Sequence, residues 1–268
     1  MLNYQIKRRI VQINCALKYY ITFLWTRIYK RPNRMWLISE RGTDARDNGY
    51  VFYRYLIKEH PEIDCKFVIS EDSPDRGRVR DEDVIRYRSW KHYYCYITAS
   101  VLLSTHSQGF SPYFELFAQL DKRGLISVRG KKILLDHCVR MGKAGCKKET
   151  VRIDLMITGI KKEFDALQEF SGYDDGVLNN IGLARFDNLY KALGNKTKNQ
   201  ILFMPTWRVK YNRISKDSFR GTEYYKGCMD LLRNYELKKL LNENNIDFIF
   251  YPHIEMQKYI DDFVSDSP

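Results

Sequence analysis

From residue 35 to its end the chain alternates short apolar runs of four to six residues with amphipathic stretches. A strand followed by a crossover helix returns most readily to a parallel neighbour, and a parallel sheet needs cover on both faces. The alternation therefore predicts an α/β fold built on mainly parallel sheets. The strands are read at MWLIS (35–39), CKFVIS (65–70), VIRY (84–87), VLLST (101–105), ILLD (133–136), LMIT (155–158) and VLNNIG (177–182). Helices are read from Gly49, where Tyr50, Phe52, Tyr53, Leu56 and Ile57 form one face, and at KHYYCYITA, KKEFDALQEF and ARFDNLYKAL. After the polar linker Gly194-Asn195-Lys196-Thr197 a second unit begins. It holds strands QILFMP (200–205) and DFIFYP (247–252), a long helix from about Tyr224 to Asn244, and a helical IEMQKYIDDF. Two strands and two helices cannot cover both faces of a parallel sheet, so this second unit is expected to be incomplete.

The first 34 residues differ in kind. They hold Lys7, Arg8, Arg9, Lys18, Arg27, Lys30, Arg31 and Arg34 and no acid, and so carry +8 of the net charge of +12. The high isoelectric point therefore reports a basic arm more than a nucleic-acid-binding surface. Ile6, Ile10, Ile13, Leu17, Ile21, Leu24 and Ile28 recur at three- and four-residue steps, the spacing of an amphipathic helix. A basic polar face beside an apolar, aromatic-rich one suits an anionic membrane surface, and no charge-free run is long enough to span a bilayer. The competing reading is a helix packed on the protein's own core. Organisation is thus expected as a membrane-associating segment 1–34, a domain 35–194 and a partial domain 195–268.

The six cysteines form no CxxC pair and no spacing suited to a tetrahedral metal site, which points to reduced, partly buried thiols and a cytosolic setting. No secretory signal is visible.

In open parallel sheets ligands bind beyond the carboxyl ends of the strands. The polar residues there are Glu40, Arg41, Asp47 and Asn48 after the first strand and His106 after VLLST. His137 follows ILLD, Thr206 and Arg208 follow QILFMP, and His253 follows DFIFYP. Imidazoles exchange protons near neutral pH, and a guanidinium binds phosphate in bidentate fashion. Gly142, Lys143, Gly145, Lys147 and Lys148 add backbone amides and cations that suit phosphate. Walker, GxGxxG, GxSxG and HExxH patterns are absent, which lowers the hydrolase and metalloenzyme readings.

LISERGTDARDNGYVFYRYL (37–56), HPEIDCKFVIS (60–70), GLARFDNL (182–189), ILFMPTWR (201–208) and FIFYPHIEMQKYI (248–260) together resemble, in order, blocks of the CDP-glycerol glycerophosphotransferases of teichoic-acid synthesis. The resemblance implies the glycosyltransferase B fold, two Rossmann-like domains with parallel sheets, the second truncated here. It implies a CDP-activated polyol donor, CDP-glycerol or a relative, and a lipid-linked polyol-phosphate acceptor for a teichoic-acid or capsular polymer. The setting would be peripheral, on the cytoplasmic face of the membrane, without metal, other cofactor or nucleic acid. By position His137 matches the family histidine that looks like the base for the acceptor hydroxyl, and His253 matches a second one in the donor domain. Arg208, with Thr206, would meet the donor pyrophosphate, while Glu40, Arg41, Asp47, Asn48 and His106 fall on the acceptor side. The family's His-Gly-x-Pro-x-Lys reads His137-Cys138-Val139-Arg140-Met141-Gly142-Lys143 here, and its later Asp-Tyr-Ser-Ser type segment has no counterpart. A nucleotide-sugar transferase of the same fold and a non-catalytic membrane-binding chain are the alternative readings.

Overall fold

The computed structural model describes residues 2–29, 34–140, 146–195, 198–211 and 213–263. Met141, Gly142, Lys143 and Gly145 of the glycine and lysine loop lie outside the described residues, as do Lys196 and Thr197 of the linker. The chain divides into two compact units, Met1–Leu193 and Gly194–Pro268.

The first unit is an α/β fold around a seven-stranded, all-parallel sheet. Its strands are β1 (Trp36–Ser39), β2 (Cys65–Ile69), β3 (Val84–Arg86), β4 (Val101–Ser104), β5 (Lys131–Leu134), β6 (Leu155–Thr158) and β7 (Leu178–Asn180). They lie in the order β3-β2-β1-β4-β5-β6-β7. The order reverses between β1 and β4, and that is where a doubly wound sheet opens a crevice for ligands. Side chains alternate across the sheet: Leu37 enters one buried cluster and its neighbour Ile38 the other. On one face α2 (Asn48–Glu59) contributes Tyr53 and Leu56. On the other, α3 (Trp90–Thr98), α4 (Phe114–Lys122) and α5 (Lys161–Phe170) contribute Tyr93, Phe117 and Leu167. The unit's last helix is α6 (Phe186–Ala192).

Two details depart from the sequence reading. The ILLD strand stops at Leu134, because Asp136 turns into the left-handed region at φ 54°. Helix α4 is not foreseen at all. Its N-cap residue Tyr113 makes no side-chain capping bond, so no start signal is written there, although Gly124 at φ 67° marks its end.

The N-terminal segment forms α1 (Leu2–Ile28), which packs on α3. The face that docks is not the isoleucine and leucine stripe. Cys15, Tyr19 and Thr22 are buried, and the Tyr19 hydroxyl donates to the Ser127 carbonyl at 2.8 Å and accepts the Ser127 N–H at 2.8 Å. The Tyr19 ring lies edge-on to Phe117 at 5.5 Å. Ile6, Ile10, Ile13, Leu17, Ile21, Leu24 and Ile28 are 48–74% exposed. At 3.6 residues per turn that stripe falls on the side of the helix opposite Cys15, Tyr19 and Thr22. Among the described residues no helix is long and apolar enough to cross a membrane.

The second unit pairs β8 (Gln200–Phe203) with β9 (Asp247–Phe250) in parallel. Its core gathers Phe219 of α7 (Lys216–Arg220), Cys228 and Met229 of α8 (Glu223–Leu232), and Met256, Tyr259 and Phe263 of a 3₁₀ segment, Ile254–Phe263. The single helix expected from Tyr224 to Asn244 is two. Arg233 ends α8, and Asn234 starts α9 (Tyr235–Glu243) by accepting the Leu237 N–H at 2.8 Å. Asparagine competes for backbone donors in this way, which makes it a cap rather than an interior residue.

Candidate active site

The loops that leave β1, β4 and β5 meet where the strand order reverses, and they bring two of the expected histidines together. His106, two residues past β4, and His137, three past β5, stack with ring centroids 4.0 Å apart and planes 14° from parallel. His106 Nδ1 is 2.8 Å from the Thr105 hydroxyl. His137 Nδ1 is 3.2 Å from Asp136 Oδ1 and 3.3 Å from the Thr105 carbonyl.

Asp136 organises this corner. Fully buried, it accepts the His137 backbone N–H at 2.7 Å through Oδ1, a local bond that helps an aspartate hold its left-handed backbone. Arg140 Nη1 lies 2.7 Å from Oδ2, an ionic contact whose angles miss hydrogen-bond geometry. The Arg140 backbone is held in turn: buried Glu163 accepts its N–H at 2.6 Å and the Gly159 N–H at 2.8 Å.

This environment divides the imidazoles. The Asp136 carboxylate, and after it the Cys138 thiol, hold the His137 pKa up to about 10, so its ring is a cation at neutral pH. Burial, and then the positive charge of His137, push His106 down to about 4, so that ring is neutral. The pair is one imidazolium and one imidazole.

The loop after β1 serves as a frame. Glu40, buried, accepts the N–H groups of Arg46, Asp47 and Tyr50 at 3.1, 2.8 and 2.9 Å, and burial raises its pKa. Arg41 is exposed and pairs with Asp44 at 2.7 Å. Asp47 caps α2 and lies 3.1 Å from Arg185. Asn48, fully buried, donates to the Asp136 carbonyl at 2.7 Å and accepts the Arg185 N–H at 2.9 Å. Of the five acceptor-side candidates, then, Glu40 and Asn48 have their polar atoms committed to backbone, and His106 lies in the pair. Gly109 lets the β4 loop close on this frame: a Cβ there would sit 1.9 Å from the Glu40 carbonyl oxygen.

In the second unit Thr206 and Arg208 are exposed on the loop after β8. His253, past β9, stacks on Trp207 with centroids 5.2 Å apart and planes 9° from parallel. Sequence reasoning passed over Asp136, Arg185, Glu163 and Trp207. Asp136 and Trp207 adjoin singled-out residues, and Arg185 lies in a quoted block; nothing local marked Glu163.

Among the described residues one group has the makings of a cation site, Asp136, His137 and Cys138, whose ligand-type atoms lie within 4.8 Å of one another. It fits poorly. The three are consecutive, and Arg140 already stands against the carboxylate that a metal would need.

The chain resembles known proteins over most of its length. It is 29% identical over 245 residues to the minor teichoic acid biosynthesis protein GgaB of Bacillus subtilis (strain 168), a match covering 85% of this chain and 26% of that relative. The chain thus spans about a quarter of that relative's length. Structures of the wall teichoic acid polymerase TagF share the fold. One superposes with a TM-score of 0.58 at 16% identity, covering 96% of this chain and 68% of that one. Another gives 0.57 at 17% identity with the same coverage. The model of the CDP-Glycerol:Poly(glycerophosphate) glycerophosphotransferase family matches residues 19–267, and the chain belongs to that family.

Proposed function

We propose that this chain transfers glycerol phosphate, or a related polyol phosphate, from a CDP-activated donor to a membrane-associated polyol-phosphate acceptor. The observation that carries this reading is the stacked imidazole and imidazolium of His106 and His137 at the strand-order reversal, in a chain of this family. The acceptor hydroxyl oxygen attacks the phosphorus that bears the glycerol, a new P–O bond forms, the pyrophosphate P–O bond breaks, and CMP leaves. The hydroxyl proton goes to His106, which is free to take it. His137 stays protonated and offsets charge on the phosphate. This reading takes His106 as the proton acceptor, in place of His137, to which the family resemblance gives that role. An incoming phosphate raises the pKa of His106 and makes it a better base.

On the donor side Arg208, Thr206 and His253 are proposed as ligands of the pyrophosphate, supported by the exposure of Thr206 and Arg208. The parallel strands of both units support the glycosyltransferase B reading, with domains at 35–194 and 195–268. Membrane attachment through residues 1–34 is supported by the seven exposed apolar side chains of α1, with the exposed Lys7 and Arg9 beside them.

Calorimetric titration of CDP-glycerol into the chain, followed by CMP release with a lipid-linked acceptor, tests the proposal. Saturable binding and release that falls in both His106→Gln and His137→Gln are expected. Preference for a UDP-sugar, or release indifferent to both substitutions, overturns it.

A further inference from the structure

A cavity of about 530 Å³ lies in the first unit on the sheet face covered by α3 and α4. That volume is within the range of pockets that hold small organic ligands. Neither His106 nor His137 lines it, although Ser107 does, so it is a neighbour of the histidine pair and not part of it.

Its floor is aromatic: Tyr96 of α3, Phe110 after β4, Phe114 and Phe117 of α4, and Phe170 at the end of α5. Its rim is basic: Lys122 from the last turn of α4, and Lys147 and Arg152 from the segment before β6. Among the described residues none of these three cations makes an ion pair, in contrast to Lys132, which lines the same cavity and is neutralised by Asp121 at 2.7 Å. Glu149 is the one lining acid besides Asp121, so the rim keeps a positive balance. Apolar floor and cationic rim together select an amphiphile with an anionic head.

The cavity shares its rings with the docking face of α1. Tyr96 and Phe117 also receive Tyr19 of α1, at 6.3 and 5.5 Å between centroids. The cavity is therefore built on the same rings that dock α1, the helix whose outer face is apolar. We propose that this cavity binds a lipid phosphate, the first segment of the hydrocarbon on the aromatic floor and the phosphate on Lys122, Lys147 and Arg152. This assignment does not depend on the transferase reading. Three cations bearing on one anion give charge-assisted contacts, and the rings supply the part of the affinity that free phosphate cannot gain.

Dihexanoyl phosphatidic acid, kept monomeric, is titrated calorimetrically into the full chain, with inorganic phosphate and dihexanoyl phosphatidylcholine as comparison ligands. Saturable binding of phosphatidic acid is expected, at least about tenfold tighter than either comparison ligand. The K122A/K147A/R152A variant, changed only at exposed positions, should lose about tenfold or more, and Ala118→Trp, which fills the cavity, should abolish binding. An I10S/I13S/L17S variant of α1 should bind the monomeric lipid as the parent does, which separates the cavity from the helix. Equal affinity for inorganic phosphate or for phosphatidylcholine, or full binding by the triple rim variant, overturns the proposal.

Discussion

Asn48 donates its carboxamide N–H to the Asp136 carbonyl oxygen at 2.7 Å, joining two loops 88 residues apart in sequence. The same side chain accepts the Arg185 N–H, so one asparagine ties the loop after β1 to the histidine loop and to the start of α6. Replacing it strands one buried and one part-buried backbone group. Asn48→Ala should cost about 1–3 kcal/mol for each unpaired group, read as a lower urea midpoint at unchanged slope. CMP release should fall as well, since the Asp136 backbone sets where His137 stands.

The histidine pair carries a prediction that needs no turnover. If the His137 charge helps to hold His106 down, His137→Gln should raise the His106 titration midpoint from about 4 toward 6.5, followed by NMR of the imidazole protons. A midpoint that stays at about 4 would assign the whole depression to burial. In the activity assay His106→Gln should lower kcat by about 10²–10⁴, the usual worth of a positioned proton acceptor.

Most of the strands and their parallel pairing were legible because each is a short apolar run bounded by polar turns, a pattern set by burial on both faces. Asn234 was a polar residue inside an amphipathic stretch, and only its bond to Leu237 shows it to be a cap. Glu40 and Asn48 were legible as polar residues past a strand but not as frame residues. Whether a carboxylate faces ligand or backbone depends on contacts such as Glu40 to Tyr50, which no spacing rule encodes. The two histidine positions were visible as loop positions, whereas their charge states follow from how the Asp136 carboxylate is turned onto His137 and from the burial of His106 beside that charge, neither of which spacing encodes.

The two faces of α1 should respond oppositely to substitution. Tyr19→Ala removes a buried ring and both bonds to Ser127 and should cost about 3 kcal/mol or more of stability. The I10S/I13S/L17S variant alters exposed side chains and should leave the melting temperature within a few degrees while abolishing co-sedimentation with anionic vesicles. Vesicle binding that survives the triple change would place the membrane contact elsewhere.

Stability should pass through a maximum between acid and base, because the histidines pull in opposite directions. His92 is buried, accepts the Arg88 N–H through Nδ1 at 3.1 Å, and has a pKa held down at about 3 by burial and then by the Arg88 charge. The rings beside it are Tyr87 and Tyr93, and no acid is paired with it among the described residues. Its folded pKa lies below the unfolded value near 6.5, so its contribution is complete above that pH and is lost as the pH falls toward 3. His106 adds to the same acid loss. His137 has the reverse sign: raised to about 10, it contributes fully below 6.5 and loses that contribution as the pH climbs to about 10. Thermal melts across pH 4–10 should therefore fall away on both sides. His92→Gln, which can still accept the Arg88 N–H but has no proton to gain, should flatten the acid limb and leave the alkaline one unchanged. His137→Gln should flatten the alkaline limb. An acid limb equally steep in the parent and in His92→Gln would assign the acid loss to other groups, such as Asp75 and Asp83, whose pKa values are lowered in the folded chain.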